Sequence, residues 1–188
     1  MKRVYSDTWR KNLSEETASH FSSAQEVIVL SRPAQSTDQD WHEVDRGPGF
    51  FTIPADQEIR VRIKSINDAD LADLVQELKD VAMLRFLDLS ENRNVTNDGL
   101  QSLKVLRQLT GLNLSSCSIT STGLEPLRAL THLTYLNLSY CGRLNDLALK
   151  TIEAMRNLTY VDLRGCLGFT KAGFSRIHRR NLTINLNK

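Results

Sequence analysis

No apolar run in these 188 residues approaches the roughly 20 that cross a bilayer. Met1-Lys2-Arg3 is basic, but no apolar stretch of secretory-signal length follows it. The chain therefore reads as soluble and cytoplasmic. Cysteine is scarce: Cys117, Cys141 and Cys166 show no C-x-x-C spacing of a metal or redox site. Four histidines (His20, His42, His132, His178) are scattered, and His132 and His178 lie at unit ends with no Asp or Cys at ligand-like or triad-like spacing. A Gly-rich phosphate loop, an H-E-x-x-H pair and a D-x-D-x-D-G calcium loop are also missing. The expectation is a non-enzyme with no metal and no cofactor. A net charge of +2 is too small to argue for nucleic acid by itself. The charge is unevenly spread, with 6 basic and 10 acidic residues in 1–58 against 18 and 12 in 59–188.

What the chain does have is repetition. Leu84-Arg-Phe-Leu87-Asp-Leu89-Ser-Glu-Asn92 returns as Leu109-Thr-Gly-Leu112-Asn-Leu114-Ser-Ser-Cys117. It returns again from Leu133 to Cys141 and from Leu158 to Cys166, at spacings of 25, 24 and 25 residues. An L-x-x-L-x-L-x-x-N/C segment of this period is the mark of a leucine-rich repeat. A second signal recurs behind it. Ile66-Asn67, Val95-Thr96, Ile119-Thr120, Leu144-Asn145 and Phe169-Thr170 each pair an apolar residue with a capping side chain. Leu71, Leu100, Leu124, Leu149 and Phe174 follow four residues after each cap, then Leu74, Leu103, Leu127, Ile152 and Ile177. A cap followed by apolar residues at helical spacing starts a helix. Each unit is thus a strand, a turn and a helix, and it buries its apolar face only by stacking on a neighbour. The fold class is α/β: a curved parallel sheet with helices on its convex side.

The Cys117, Cys141, Cys166 column and the I-T-x-x-G-L-x-x-L stretch from Ile119 to Leu127 resemble the cysteine-containing leucine-rich repeats of F-box-type receptor proteins. The resemblance covers residues 59–188 and implies architecture. No F-box-like helical segment stands in residues 1–58, so a ubiquitin-ligase role is not implied. Cysteine at this position is expected to be a buried, inert turn residue.

The ends depart from the pattern. Val61 and Ile63 form an alternating strand with no Asn/Cys turn, followed by a longer helix from Asp68 to about Met83. Trp41-His-Glu-Val44 and Phe50-Phe-Thr-Ile53 flank Asp45-Arg-Gly-Pro-Gly49, which reads as a β-hairpin covering the first strand's edge, so residues 41–83 are a capping hairpin with an atypical first repeat. Residues 1–40 read as a leader, with a helix over Thr8 to Phe21, a strand over Gln25 to Leu30 and a loop over Ser31 to Asp40. The regular repeats, 84–188, end on a bare strand, Leu182 to Leu186. Such an edge is either short enough to be tolerated or covered by a partner or a second copy.

Aligning the units places three columns on the concave side. One holds Arg60, Phe86, Gly111, Tyr135 and Tyr160. The next holds Arg62, Asp88, Asn113, Asn137, Asp162 and Asn185. The third holds Lys64, Ser90, Ser115, Ser139 and Arg164, with Tyr140 just beyond. Phe86, Tyr135, Tyr140 and Tyr160 form an exposed aromatic patch of the kind that binds proteins. The alternative is cross-strand packing alone. The carboxamide column is either a recognition stripe or a ladder of lateral hydrogen bonds. Arg60, Arg62 and Lys64 form a basic corner, able to receive an acidic partner or to pair with the acidic leader. The expected function is a non-catalytic module holding a protein partner. The alternative is a nucleic-acid or anionic-surface binder using that corner, Arg164 and the C-terminal Arg176, Arg179, Arg180 and Lys188.

Overall fold

The computed structural model describes residues 18–34, 36 and 40–186. Among these residues eight strands, β1 (Ser19–Pro33), β2 (His42–Ile53), β3 (Gln57–Ile63), β4 (Leu84–Asp88), β5 (Gly111–Asn113), β6 (Tyr135–Asn137), β7 (Tyr160–Asp162) and β8 (Thr183–Asn185), make one sheet in the order β2-β1-β3-β4-β5-β6-β7-β8. The first two pairings are antiparallel, and every later one is parallel.

The repeats fold as their pattern dictates. β4 (Leu84–Asp88), β5 (Gly111–Asn113), β6 (Tyr135–Asn137), β7 (Tyr160–Asp162) and β8 (Thr183–Asn185) stack in uninterrupted register. Behind them lie α1 (Asp68–Leu78), α2 (Asn97–Ser102), α3 (Leu147–Ala154) and α4 (Lys171–Phe174). The third unit has a 3-10 helix, Ser121–Ala129, where an α-helix was expected. Pro126 inside it has no N–H to donate, and the tighter coil still buries Leu124 and Leu127. Helix α1 stops at Leu78, short of Met83. Turn bonds from the Val81 and Leu84 N–H groups then lead the chain into β4. One core runs the length of the stack, with Leu87, Leu112, Leu136 and Val161 all inaccessible to solvent.

The N-terminal cap is antiparallel, as expected, but it is assembled differently. Residues 42–53 form one continuous strand, β2 (His42–Ile53), and not a strand-turn-strand. Its partner is β1 (Ser19–Pro33), which lies between β2 and β3 (Gln57–Ile63). The Gly-Pro-Gly segment reads as a turn, yet here it lies in an edge strand, where the missing Pro48 N–H is tolerated. Gly47 and Gly49 take φ of 131° and 156°, and three residues of β1 bulge opposite them. β1 lengthens the strand expected at Gln25 to Leu30 and belongs to the sheet, so residue 40 does not part a leader from the solenoid. The helix expected over Thr8 to Phe21 is contradicted at residues 19–21, which lie in β1. Its remaining residues up to 17 lie outside the described ones, as does Lys188.

Successive units are clasped together at their helix starts. The Asp68 carboxylate accepts from the Thr96 N–H at 2.8 Å and its hydroxyl at 2.6 Å. Asp146 does the same for Thr170. Asn97 accepts from the Thr120 N–H and donates its Nδ2 to the Thr120 hydroxyl, and Ser121 accepts from the Asn145 N–H and donates its hydroxyl to Asn145 Oδ1. These side chains fill the space where the next unit's residue has no room for a Cβ. One built on Gly99, Gly123 or Gly173 would lie 2.3, 1.9 or 2.3 Å from Asp68, Asn97 or Asp146. Only behind the smaller Ser121 does the column hold an alanine, the buried Ala148.

A second ladder runs along the turns. Asn92 donates to the carbonyls of Ile63 and Leu89 and accepts from the Ile66 N–H. The thiols of Cys117, Cys141 and Cys166 donate to Leu89, Leu114 and Leu138 carbonyls of the preceding unit at 3.2, 3.1 and 3.1 Å. All three cysteines are free and buried. Burial pushes the Cys117 and Cys141 thiols up to about 12, and Cys166 upward as well. Nucleophilicity needs the thiolate. Native protein at pH 8 is therefore expected to resist iodoacetamide at all three cysteines and to take up three labels in urea, as read by intact mass. Fast native labelling would mean that the turn ladder opens.

Candidate functional site

The parallel register sets two columns side by side on the helix-free face. Arg60, Phe86, Gly111, Tyr135, Tyr160 and Thr183 are successive partners, and so are Arg62, Asp88, Asn113, Asn137, Asp162 and Asn185. The sequence alignment of units anticipates both.

In the first column the rings form a continuous stripe. Tyr135 and Tyr160 are stacked at 5.3 Å with an interplanar angle of 4°. Phe86 is two strands away from Tyr135, yet their centroids are 5.5 Å apart. Gly111 makes this possible, because a Cβ there would lie 2.2 Å from the Phe86 ring. Trp41 extends the stripe by an edge contact to Phe86 at 6.4 Å. Unit alignment could not find Trp41, which precedes β2 and belongs to no repeat. Guanidinium groups lie on two of the rings: Arg60 over Phe86 at 4.4 Å and Arg32 over Trp41 at 4.5 Å. The rings expected to be exposed are thus half-buried by one another. Tyr140 is 64% exposed in the turn after β6, with φ of 60°, and makes no ring contact with the stripe among the described residues.

In the second column the side-chain oxygens of Asp88, Asn113, Asn137 and Asp162 are already engaged. The Asn113 and Asn137 Oδ1 atoms accept from the N–H of Ser115 and Ser139, two residues on, at 3.0 and 2.9 Å. Asp88 and Asp162 do the same for Ser90 and Arg164. The lateral carboxamide ladder considered above is not the arrangement found. Each side chain bonds its own turn, which suits short Asx side chains at strand ends. Asn185 instead donates to the Tyr160 hydroxyl at 3.1 Å.

Among the described residues the basic corner pairs with the first regular unit. Arg60 and Arg62 both bind Asp88, the latter at 3.1 Å, and Lys64 binds Glu91 at 2.6 Å. Arg164 binds Asp162 at 2.7 Å. At the C-terminal end, Arg179 donates to the carbonyls of Met155, Arg156 and Leu158. It ties the last helical segment to the unit before it. Arg176, His178 and Arg180 are solvent-exposed or nearly so.

Burial alone would push the Asp88 carboxyl up. The Arg60 hydrogen bond and charge, with the Ser90 hydroxyl and N–H, outweigh it and hold the group below its ordinary value. A carboxylate whose folded value is lowered stabilises the fold above its unfolded value, about 3.9. That stabilisation disappears as pH falls through the folded value. Asp88→Asn keeps the turn acceptor but strands Arg60 and Arg62. The variant is expected to be less stable at pH 7 and to lose less stability than the parent between pH 4 and pH 2. Urea midpoints at stepped pH measure this, and parallel acid profiles would contradict it.

Two sequence models described as leucine-rich repeat match residues 82–104 and 107–167. A search of curated proteins finds no match. Among solved structures, a chain in the Rad7 and Elc1 complex of yeast matches with a TM-score of 0.54 at 21% identity, over 65% of this chain and 31% of that one. An internalin (inlF) of Listeria monocytogenes gives 0.46 at 19% identity, over 65% and 37%. The chain therefore spans about a third of the length of each of these. Among the described residues no helix is long and apolar enough to cross a membrane, and no group of His, Cys, Asp or Glu could hold a metal ion. The matched repeats, the parallel ladder and the strand-turn-helix units agree: this chain is a leucine-rich-repeat solenoid.

Proposed function

We propose that the helix-free face holds a protein partner and that the chain acts as a non-catalytic interaction module. The aromatic stripe from Trp41 through Phe86 and Tyr135 to Tyr160 carries this reading. Rigid amphipathic rings in a contiguous patch are what protein hot spots are made of. The polar column beside them, Arg62 to Asp162, supplies the hydrogen-bonding margin. Tyr140 is a rim residue at most. The cysteine ladder also supports assigning the repeats to the cysteine-containing type.

Two observations favour a protein over nucleic acid. Single-stranded nucleic acid needs open ring faces on which bases stack. Here Tyr135 and Tyr160 occupy one another's faces, and arginines cover Phe86 and Trp41. A run of phosphates also needs several uncommitted cations. On this face Arg60 and Arg62 share Asp88, Lys64 pairs with Glu91 and Arg164 with Asp162, which leaves one positive charge unmatched, and Arg179 is held by backbone carbonyls. The outer edge of β8 is a second place where a partner or another copy could add a strand.

The test is Tyr135→Ala with Tyr160→Ala, compared with the parent in pull-downs from the source organism's lysate. A polypeptide retained by the parent is expected to be lost. The fold should still melt cooperatively. A stacked pair is worth about 0.5–1.5 kcal/mol, or a few degrees at ~2–4 °C per kcal/mol for a chain of this size. Retention of the same polypeptide would place binding elsewhere. Capture that collapses between 50 and 200 mM salt, with nucleic acid in the eluate, would favour the nucleic-acid reading.

A further inference from the structure

The polar column of this face is asymmetric in hydrogen-bonding sense. Of its side-chain oxygens, those of Asp88, Asn113, Asn137 and Asp162 all accept from groups of this chain. The turn bonds also fix the amide orientations, because a backbone N–H demands the oxygen and not the nitrogen. The Nδ2 groups of Asn113 and Asn137 are thereby left without an acceptor among the described residues. They lie on adjacent, in-register strands, roughly 4.8 Å apart. Arg62 uses only its Nε on Asp88, so its two terminal nitrogens remain available. The Tyr135 hydroxyl has no hydrogen-bond partner among the described residues. Burial, with Tyr160 and Asp162 nearby, pushes its pKa up, so it stays protonated. Charge points the same way. Three guanidiniums (Arg60, Arg62, Arg164) share two carboxylates (Asp88, Asp162) on this face. The Arg60 Nε is buried without an acceptor.

We infer that this face is a field of hydrogen-bond donors, centred on Arg62, Asn113, Asn137 and Tyr135, and that its partner is a protein segment presenting carboxylates beside apolar side chains. A carboxylate is acceptor-only and carries the charge that the arginines leave uncompensated. Apolar neighbours of those carboxylates would rest on the rims of Phe86, Tyr135 and Tyr160. The inference rests on the protein-binding reading above and names the chemistry of the partner.

A substitution already tolerated at this column tests it. Asp88 and Asp162 keep the same turn bond that Asn113 and Asn137 make. Asn113→Asp with Asn137→Asp therefore preserves the fold while turning two donors into acceptors. The probes are two pools of labelled twelve-residue peptides, one randomised among Glu, Leu and Phe and the other with Gln in place of Glu. A third probe is a thymidine 12-mer. Binding is read by fluorescence anisotropy at 150 mM salt, with circular dichroism and melting confirming that the variant is folded.

The parent is expected to bind the Glu pool at least tenfold more tightly than the Gln pool. The double Asp variant is expected to lose that preference. No binding of the Glu pool, equal binding of both pools, an undiminished preference in the folded variant, or tighter binding of the thymidine 12-mer would each overturn the inference. Tyr135→Ala with Tyr160→Ala, tested on the same pools, separates the two ideas. A preference that survives the tyrosine change but not the asparagine change keeps the donor field and sinks the aromatic stripe. The reverse result sinks the donor field alone.

Discussion

The hydrogen bond from one unit's helix-start side chain to the next unit's cap is where neighbouring units are locked in register. Asp68, Asn97, Ser121 and Asp146 each reach across to Thr96, Thr120, Asn145 or Thr170. A strand of three residues has too few backbone bonds to define its own register. The clasp at the helix start and the cysteine or asparagine bond at the turn supply two further fixed points per unit. With the strand ladder between them, each unit is fixed on its neighbour along both sides of the core. Everything on the helix-free face depends on this. Rings five ångströms apart stack only if the strands beneath them do not slip.

The face that results is more pre-organised than a set of exposed tyrosines. Phe86 reaches Tyr135 because Gly111 leaves room, and Tyr160 is steadied by Asn185. Under the proposed function, held rings would have little side-chain entropy left to lose on binding a partner, which would favour affinity. The polar column is likewise held by its turn bonds, with its acceptors turned inward. The charged groups serve the fold first: Asp88 is almost wholly buried beneath two arginines.

The repeated part was legible because its signals are local. Leucine spacing, the cap and the turn cysteine each occur once per unit, so the columns could be aligned without coordinates. Part of what was not legible depended on contacts outside the repeat, and part on local packing within it. Trp41 joins the aromatic stripe from the cap. Gly-Pro-Gly at residues 47–49 carries a strong turn signal that only the neighbouring strand overrides. The 3-10 helix at Ser121 follows from Pro126, whose effect on helix type depends on how tightly the segment must pack. The Asn column looked like a lateral ladder because carboxamides on adjacent strands are close. The backbone N–H two residues on is closer still.

The clasp also determines how such an array can grow. Its two halves lie in different units, so a unit is compatible only with certain predecessors. A second copy of the unit holding Asn97 and Gly99 could follow the first, since Asn97 would meet a glycine on both junctions. Copying the unit that holds Asp146 and Ala148 would drive the alanine methyl into the carboxylate of the preceding copy. Copying the Ser121 unit would leave a methyl-sized gap. Recombination can therefore lengthen this solenoid readily at one place, and elsewhere only if two residues in different units change together.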